Sequence, residues 1–187
     1  MVLRLCGYAA DFGGEIGGRA RSCLLANLMI MLDSAYLAQY IVERSIRAEI
    51  VHLESGTPTV AAAAEAVGVQ PEQIIKSVLF LAADEPVLVV TNGLTRINRK
   101  ALADVLDMSR RRIKIAGGEA VAAVTGYAVG AVPPFGHLTP LRTLLEAGVM
   151  DQEVVYGGGG ESNALMLVST AELQRVLVPE LVDVADR

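Results

Sequence analysis

One lysine, Lys76, and the dozen residues from Gly126 to His137 have types and spacing that suggest chemistry. Lys76 heads an apolar run, Ser77-Val78-Leu79-Phe80-Leu81-Ala82. Lysine is rarely buried whole, so its ammonium must reach water, an acidic partner or a ligand. On pattern alone it reads as an edge lysine with its head in water, or as a charge held for a ligand. The second segment, Gly-Tyr-Ala-Val-Gly-Ala-Val-Pro-Pro-Phe-Gly-His, contains three glycines and two adjacent prolines. Glycine lets a ligand approach the backbone closely, while proline fixes φ and removes a donor. Such a segment is neither a plain helix nor a central strand. It is a rigid, shaped loop that either lines a site or turns tightly between core elements.

Other candidates are weaker. Gly157–Gly160 is a run of four glycines that could offer backbone amides to an anion or oxyanion, or could be a hairpin turn. It lacks the Gly-x-Gly-x-x-Gly spacing of a dinucleotide site and the Gly-Lys-Ser/Thr ending of a P-loop. His137 is the histidine near the shaped loop, and a lone histidine is as readily a structural hydrogen-bonding group as a base. Ser77 alternates with Lys76 to the opposite face of a strand, and no Gly-x-Ser-x-Gly elbow is present, which disfavours a Ser-His-Asp hydrolase. Cys6, Cys23, His52 and His137 are scattered, so no metal ligand set is read and no cofactor is expected. Arg96, Arg99 and Lys100, and Arg110-Arg111-Arg112 with Lys114, are the basic clusters; each suits a solvated face or phosphate contacts.

These groups must be positioned by regular elements. Ser34 can cap a helix carrying Leu37, Tyr40 and Ile41. Ala48–Leu53 reads as a strand. Thr57-Pro58-Thr59 stops the chain and caps an Ala-rich helix ending at Gly68, and Pro71 suits the first turn of a short helix over Glu72–Ile75. Lys76–Ala82 and Pro86–Thr91 read as strands joined at Asp84-Glu85, apolar enough to be buried on both faces. Asn98 caps a helix with Leu102, Val105 and Leu106 inward. Ile113–Ala116 is a short strand, and Glu119–Thr125 a helix closed by Gly126. Val154–Tyr156 and Leu165–Ser169 are strands flanking the glycines, and Thr170 opens the last helix. Strands and helices mix without a strict βαβ repeat, so the fold class is α/β with α+β character and a mixed sheet.

Composition narrows the function classes. The 187 residues suffice for one compact domain. Hydrophobic residues make up 52% and aromatics 4%, with no tryptophan, so few stacking platforms exist for single strands. The net charge of −5 argues against wrapping a long nucleic acid and leaves room for a local grip on one RNA end. The apolar run Cys23–Leu32 is shorter than the roughly 20 residues that span a bilayer, so no membrane partner is expected. The reducing cytoplasm is the expected compartment. Residues 1–30 read as an extension, dispensable for activity, ahead of a domain over 31–187, with Met31 as a natural alternative start.

Taken in order, Ile74-Ile75-Lys76-Ser77-Val78-Leu79-Phe80, the Gly130 to Pro134 Gly-x-x-x-Pro element with Phe135-Gly136-His137, and Val154-Val155-Tyr156 with the glycine run resemble the YbaK/ProX family. That family comprises free-standing relatives of the editing domain of bacterial prolyl-tRNA synthetases. The resemblance runs from about Asp33 to about Val176. It implies a curled mixed sheet surrounded by helices and a metal-free, trans-editing aminoacyl-tRNA deacylase. Its substrate would be the acceptor end of a mischarged tRNA of the tRNA(Pro) type, or of another carrying a small amino acid. It implies Lys76 as the catalytic residue and Gly126, Gly130, Pro134, Gly136, His137, Gly159 and Gly160 as substrate-binding. A synthetase or elongation factor is the implied further partner, with a monomer or homodimer as the assembly. A non-catalytic nucleotide or RNA-end binding module and a metal-free esterase on small acyl esters are the alternatives. The chain departs from the family at Glu146, where aspartate is common, and at Gly117-Gly118, which leaves the amino acid removed open.

Overall fold

The computed structural model describes residues 31–186. Helix α1 (Ser34–Glu43) is capped by Asp33, whose carboxylate accepts the Tyr36 N–H at 2.8 Å. The expected cap, Ser34, lies one residue inside; its hydroxyl donates instead to Glu161, far along the chain. Strand β1 (Ala48–His52) leads to α2 (Val60–Val67), capped by Thr59 and ended at Gly68 as its sequence requires. Pro71–Gln73 forms one 3-10 turn before the hairpin β2 (Ile75–Ala82) and β3 (Glu85–Asn92). These strands pair over their whole length, from Ile75 opposite Asn92 to Ala82 opposite Glu85. Two residues, Ala83 (φ 53°) and Asp84 (φ 73°), make the turn, both left-handed as a tight hairpin demands.

Helix α3 (Arg99–Val105) starts at Asn98, whose side chain accepts from the Lys100 and Ala101 amides. A 3-10 turn at Arg110–Arg112 feeds β4 (Ile113–Ile115), followed by α4 (Gly118–Thr125) and the shaped loop. Then come β5 (Arg142–Glu146), a 3-10 turn at Ala147–Asp151, β6 (Val154–Gly158), β7 (Ala164–Ser169), α5 (Thr170–Leu177) and β8 (Glu180–Val182).

The strands form two sheets, ordered β4-β2-β3-β5-β8 and β1-β7-β6. An isolated bridge between Ile74 and Tyr156 links them just ahead of β2. The main core lies between the sheets and under α1 and α5, with Leu37, Leu79, Leu88, Val90, Met166 and Leu173 at its centre. A second cluster, including Phe80, Val87, Val89, Leu102 and Leu144, packs α3 on the other face of the five-stranded sheet. Alternate residues of β3 therefore enter opposite layers, which explains its continuous apolar run.

The buried carboxylate of Glu172 on α5 ties that helix to the chain entering β1. It accepts from the Arg47 amide at 2.8 Å and from both Arg47 and Arg175 guanidinium groups. Hydrogen bonds from Arg175, then the Arg47 amide, hold its pKa down from 4.5 to about 2. A depressed carboxylate contributes stability that is present above the unfolded value and lost as pH falls through the folded one. The urea midpoint of the wild type is expected to drop between pH 4.5 and about 2 more steeply than that of Glu172→Gln. Parallel curves for the two proteins would show that this carboxylate does not set acid stability.

Candidate functional site

Lys76 is the second residue of β2, opposite Thr91 of β3. Beyond β3 the chain turns back through Gly93 and Thr95, and the Lys76 ammonium donates to their carbonyls at 2.9 and 2.7 Å. An ammonium carries three N–H donors, so one remains for a ligand. No ion pair among the described residues involves Lys76, so its positive charge is not neutralised by a carboxylate. Burial lowers its pKa from the ordinary lysine value.

Strand pairing opens space beside it. β4 pairs only with Phe80, Leu81 and Ala82, leaving Lys76 to Val78 without a partner in β4. An apolar cleft of about 230 Å³ lies along this stretch, walled by Leu79, Ile115, Val121, Val129 and Val132. Ser77 also lines it, and its buried hydroxyl has no hydrogen-bond partner. A second, more polar cleft of about 170 Å³ is lined by Thr57, Thr59, Gly157, Glu161 and Ser162. Lys76 and Gly130 belong to both clefts and so stand where they meet.

Gly130 has φ 90°, and a methyl group built on it meets no atom within 4 Å; the position faces open space. Opposite it, β6 passes very close to the shaped loop: a Cβ at Gly158 would lie 2.5 Å from the Val132 carbonyl oxygen. The glycine run is thus a place of close backbone approach, and its first two members extend β6. The Gly159 and Gly160 amides donate to the carbonyls of Ala164 and Ala131, both at 3.0 Å, so these two do not form an open anion nest. They brace the loop behind the cleft.

Gly126, Gly136 and His137 lie apart from the Lys76 clefts. Gly126 ends α4, and its carbonyl accepts the Leu32 amide. The Gly136 carbonyl accepts the Tyr127 hydroxyl at 3.0 Å. His137 Nε2–H donates to the Pro133 carbonyl at 2.9 Å, fixing the tautomer. Burial lowers its pKa, which favours the neutral ring. With Tyr36, Tyr40, Arg44 and Pro134 it lines a separate groove of about 470 Å³. Pro134 sits between the two regions, its Cδ 3.5 Å from where a Cβ on Gly157 would stand.

Sequence reasoning gave no site role to Gly93 and Thr95, and read Thr57 and Thr59 only as a stop and a helix cap, yet these residues help complete the Lys76 environment. The one available signal was the Asn92-Gly93 pair after a strand, a turn that returns the chain toward the start of β2. Among the described residues, no group of three or more His, Cys, Asp or Glu side chains could hold a metal ion. No helix there is long and apolar enough to cross a membrane.

Comparison with known proteins accords with this arrangement. The family model of the aminoacyl-tRNA editing domain matches residues 54–176, a span that contains Lys76, Gly130 and both clefts. The chain belongs to the aminoacyl-tRNA editing domain family. It is 26% identical over 126 residues to the uncharacterised protein YwhH of Bacillus subtilis, covering 67% of this chain and 78% of that one. It is 35% identical over 81 residues to the proline–tRNA ligase of Lactobacillus gasseri, covering 43% of this chain and only 14% of the ligase. A solved structure described as a candidate trans-editing enzyme for prolyl tRNA synthetase superposes with a TM-score of 0.77 at 27% identity, covering 82% of this chain and 97% of that one. The mixed α/β fold expected from the sequence is the fold of that solved structure.

Proposed function

We propose that the protein is a trans-editing deacylase that hydrolyses the ester joining a small, wrongly attached amino acid to the 3′ end of a tRNA. The observation that carries this reading is an unneutralised lysine ammonium, held by two backbone carbonyls where an apolar cleft meets a polar one. The amino-acid side chain enters the apolar cleft, and the terminal ribose lies in the polar one. Water adds to the ester carbonyl carbon, the bond to the ribose oxygen breaks, and that oxygen takes the proton. Lys76 offers its remaining N–H to the carbonyl oxygen as negative charge develops there, which stabilises the transition state more than the ground state. A synthetase pocket gains only about 1–3 kcal/mol of discrimination per methylene, so small misfits need a second sieve.

The first experiment incubates the protein with Ala-, Ser-, Cys- and Pro-tRNA and with small acyl esters. Release of one small amino acid from tRNA is expected. Binding without turnover would favour an RNA-end binding module, and turnover confined to small esters a general esterase. Gly130→Ala then tests the wall. Its new methyl projects into open cleft space, although the left-handed φ costs about 1–2 kcal/mol for a residue with a Cβ. Cleavage of larger amino acids is expected to fall more than cleavage of alanine. An equal proportional loss on every substrate would mean that Gly130 shapes the fold and does not size the acyl group.

A further inference from the structure

The loop that anchors Lys76 runs directly into a second feature of opposite character. One residue past Thr95 begins a cleft of about 280 Å³ lined by Arg96, Arg99, Lys100 and Arg110, with Asn98 and Asp186. Four cations face one carboxylate in a chain whose net charge is −5. The ion pairs among the described residues join Arg47 and Arg175 to Glu172 and Arg142 to Glu180; none uses these four. Asp186 is engaged otherwise: its carboxylate accepts from Asn98 Nδ2 at 3.4 Å, and its amide donates to the Arg96 carbonyl at 2.8 Å. Arg99 is pinned at one end, where Nη2 donates to the Ile113 carbonyl, while its buried Nε–H has no acceptor. A buried guanidinium donor left unsatisfied is costly, and an anionic oxygen is its natural partner.

We propose that this cleft binds phosphate groups of the RNA backbone, holding the tRNA while its acylated end lies at Lys76. The inference rests on the proposed deacylase reading for the identity of the RNA, but the cleft stands on its own contacts. Its cations come from two segments, 96–100 and 110, and Arg96, Lys100 and Arg110 are exposed, a spread suited to successive phosphates. No aromatic side chain lines it, so it offers no base stacking. Such contacts set position and register and carry no sequence information.

The test removes charge without shortening the side chains, in the triple variant Arg96→Gln, Lys100→Gln, Arg110→Gln. Binding of fluorescein-labelled uncharged tRNA is measured across a salt series, with Arg44→Gln, on the His137 groove, as the control for losing any one cation. The triple variant is expected to bind tRNA at least tenfold more weakly. Its plot of log affinity against log salt should be shallower by about 2–3, as three lost phosphate contacts require. The loss in kcat/KM on mischarged tRNA should exceed the loss on a 3′-aminoacyl-adenosine ester, which has no phosphates, by at least tenfold. Wild-type tRNA affinity and salt slope in the triple variant would refute the proposal, as would an equal effect of Arg44→Gln. Saturable binding of inorganic phosphate that the triple variant abolishes, with tRNA binding intact, would assign a small-anion site instead and also refute it. If the wild type hydrolyses no ester, the deacylase reading fails, while the tRNA binding data still decide the cleft. Should the triple variant not fold, Lys100→Gln and Arg110→Gln singly, both at exposed positions, should each weaken tRNA binding about threefold and reduce the salt slope by about one.

Discussion

Replacing Lys76 with alanine is expected to slow deacylation of mischarged tRNA at least tenfold, equivalent to about 1.4 kcal/mol of transition-state stabilisation. The fold should survive, because Lys76 lines a cleft that water can enter and, once it is shortened, water can take over its bonds to the Gly93 and Thr95 carbonyls. The loss should fall on kcat, since the ammonium acts mainly on charge that develops after substrate is seated. The wild type adds a pH signature. Burial lowers the Lys76 pKa, so the rate should decline with rising pH earlier than an ordinary lysine would allow. The same shift makes the unfolded chain bind more protons than the folded one in that interval, so stability rises with pH as the rate falls. Circular dichroism and urea melts alongside single-turnover kinetics separate the two quantities. A folded Lys76→Ala protein with near-normal turnover would remove Lys76 from the reaction.

The second large effect is expected at Gly158. A methyl group there would stand 2.5 Å from the Val132 carbonyl oxygen and 2.8 Å from the Ala131 carbonyl carbon. Both contacts are backbone, and neither can rotate away as a side-chain tip could. Gly158→Ala must push β6 and the Gly130–Pro134 loop apart, with a cost of about 1–3 kcal/mol for overpacking. Because that loop walls both clefts, activity should fall on every substrate together, unlike the selective change expected for Gly130→Ala. Urea denaturation and the same tRNA panel report both effects. Wild-type stability in Gly158→Ala would mean that the two segments separate readily.

Much of this architecture is legible residue by residue. Thr59 and Gly68 bracket α2, Asn98 starts α3, and the apolar runs around Asp84 form the β2–β3 hairpin because propensity, capping and burial agree there. The errors arise where two local solutions compete and a distant residue decides. Asp33 and Ser34 can both cap a helix; Glu161 takes the Ser34 hydroxyl, and Asp33 is left to cap. β5 and β8 are short parallel strands that exist by pairing, β5 on β3 and β8 on β5, with almost no periodicity of their own. The glycines after Tyr156 look like a turn, yet Gly157 and Gly158 pair with Met166 and Leu165 as strand. At the site, Lys76 stands out as a cation on an apolar strand, but its two carbonyl anchors lie 17 and 19 residues away in an ordinary turn. His137 shares a loop with Gly130, and one further turn of backbone carries it to a different groove.

The pairing of β1 with β7 places Ala48 beside Val168. The polar cleft draws on Thr57, Lys76, Gly130, Gly157 and Leu165, so its walls come from segments far apart along the chain. Closing loops of that length is entropically unfavourable until the strands at both ends are present. During synthesis, therefore, a nascent chain carries Lys76 long before it carries a cleft. Hydrolytic competence should arrive in one step, once β7 has left the ribosome. Fragments cut before residue 164 should be inert in the tRNA assay even with every residue of the Gly-x-x-x-Pro element intact.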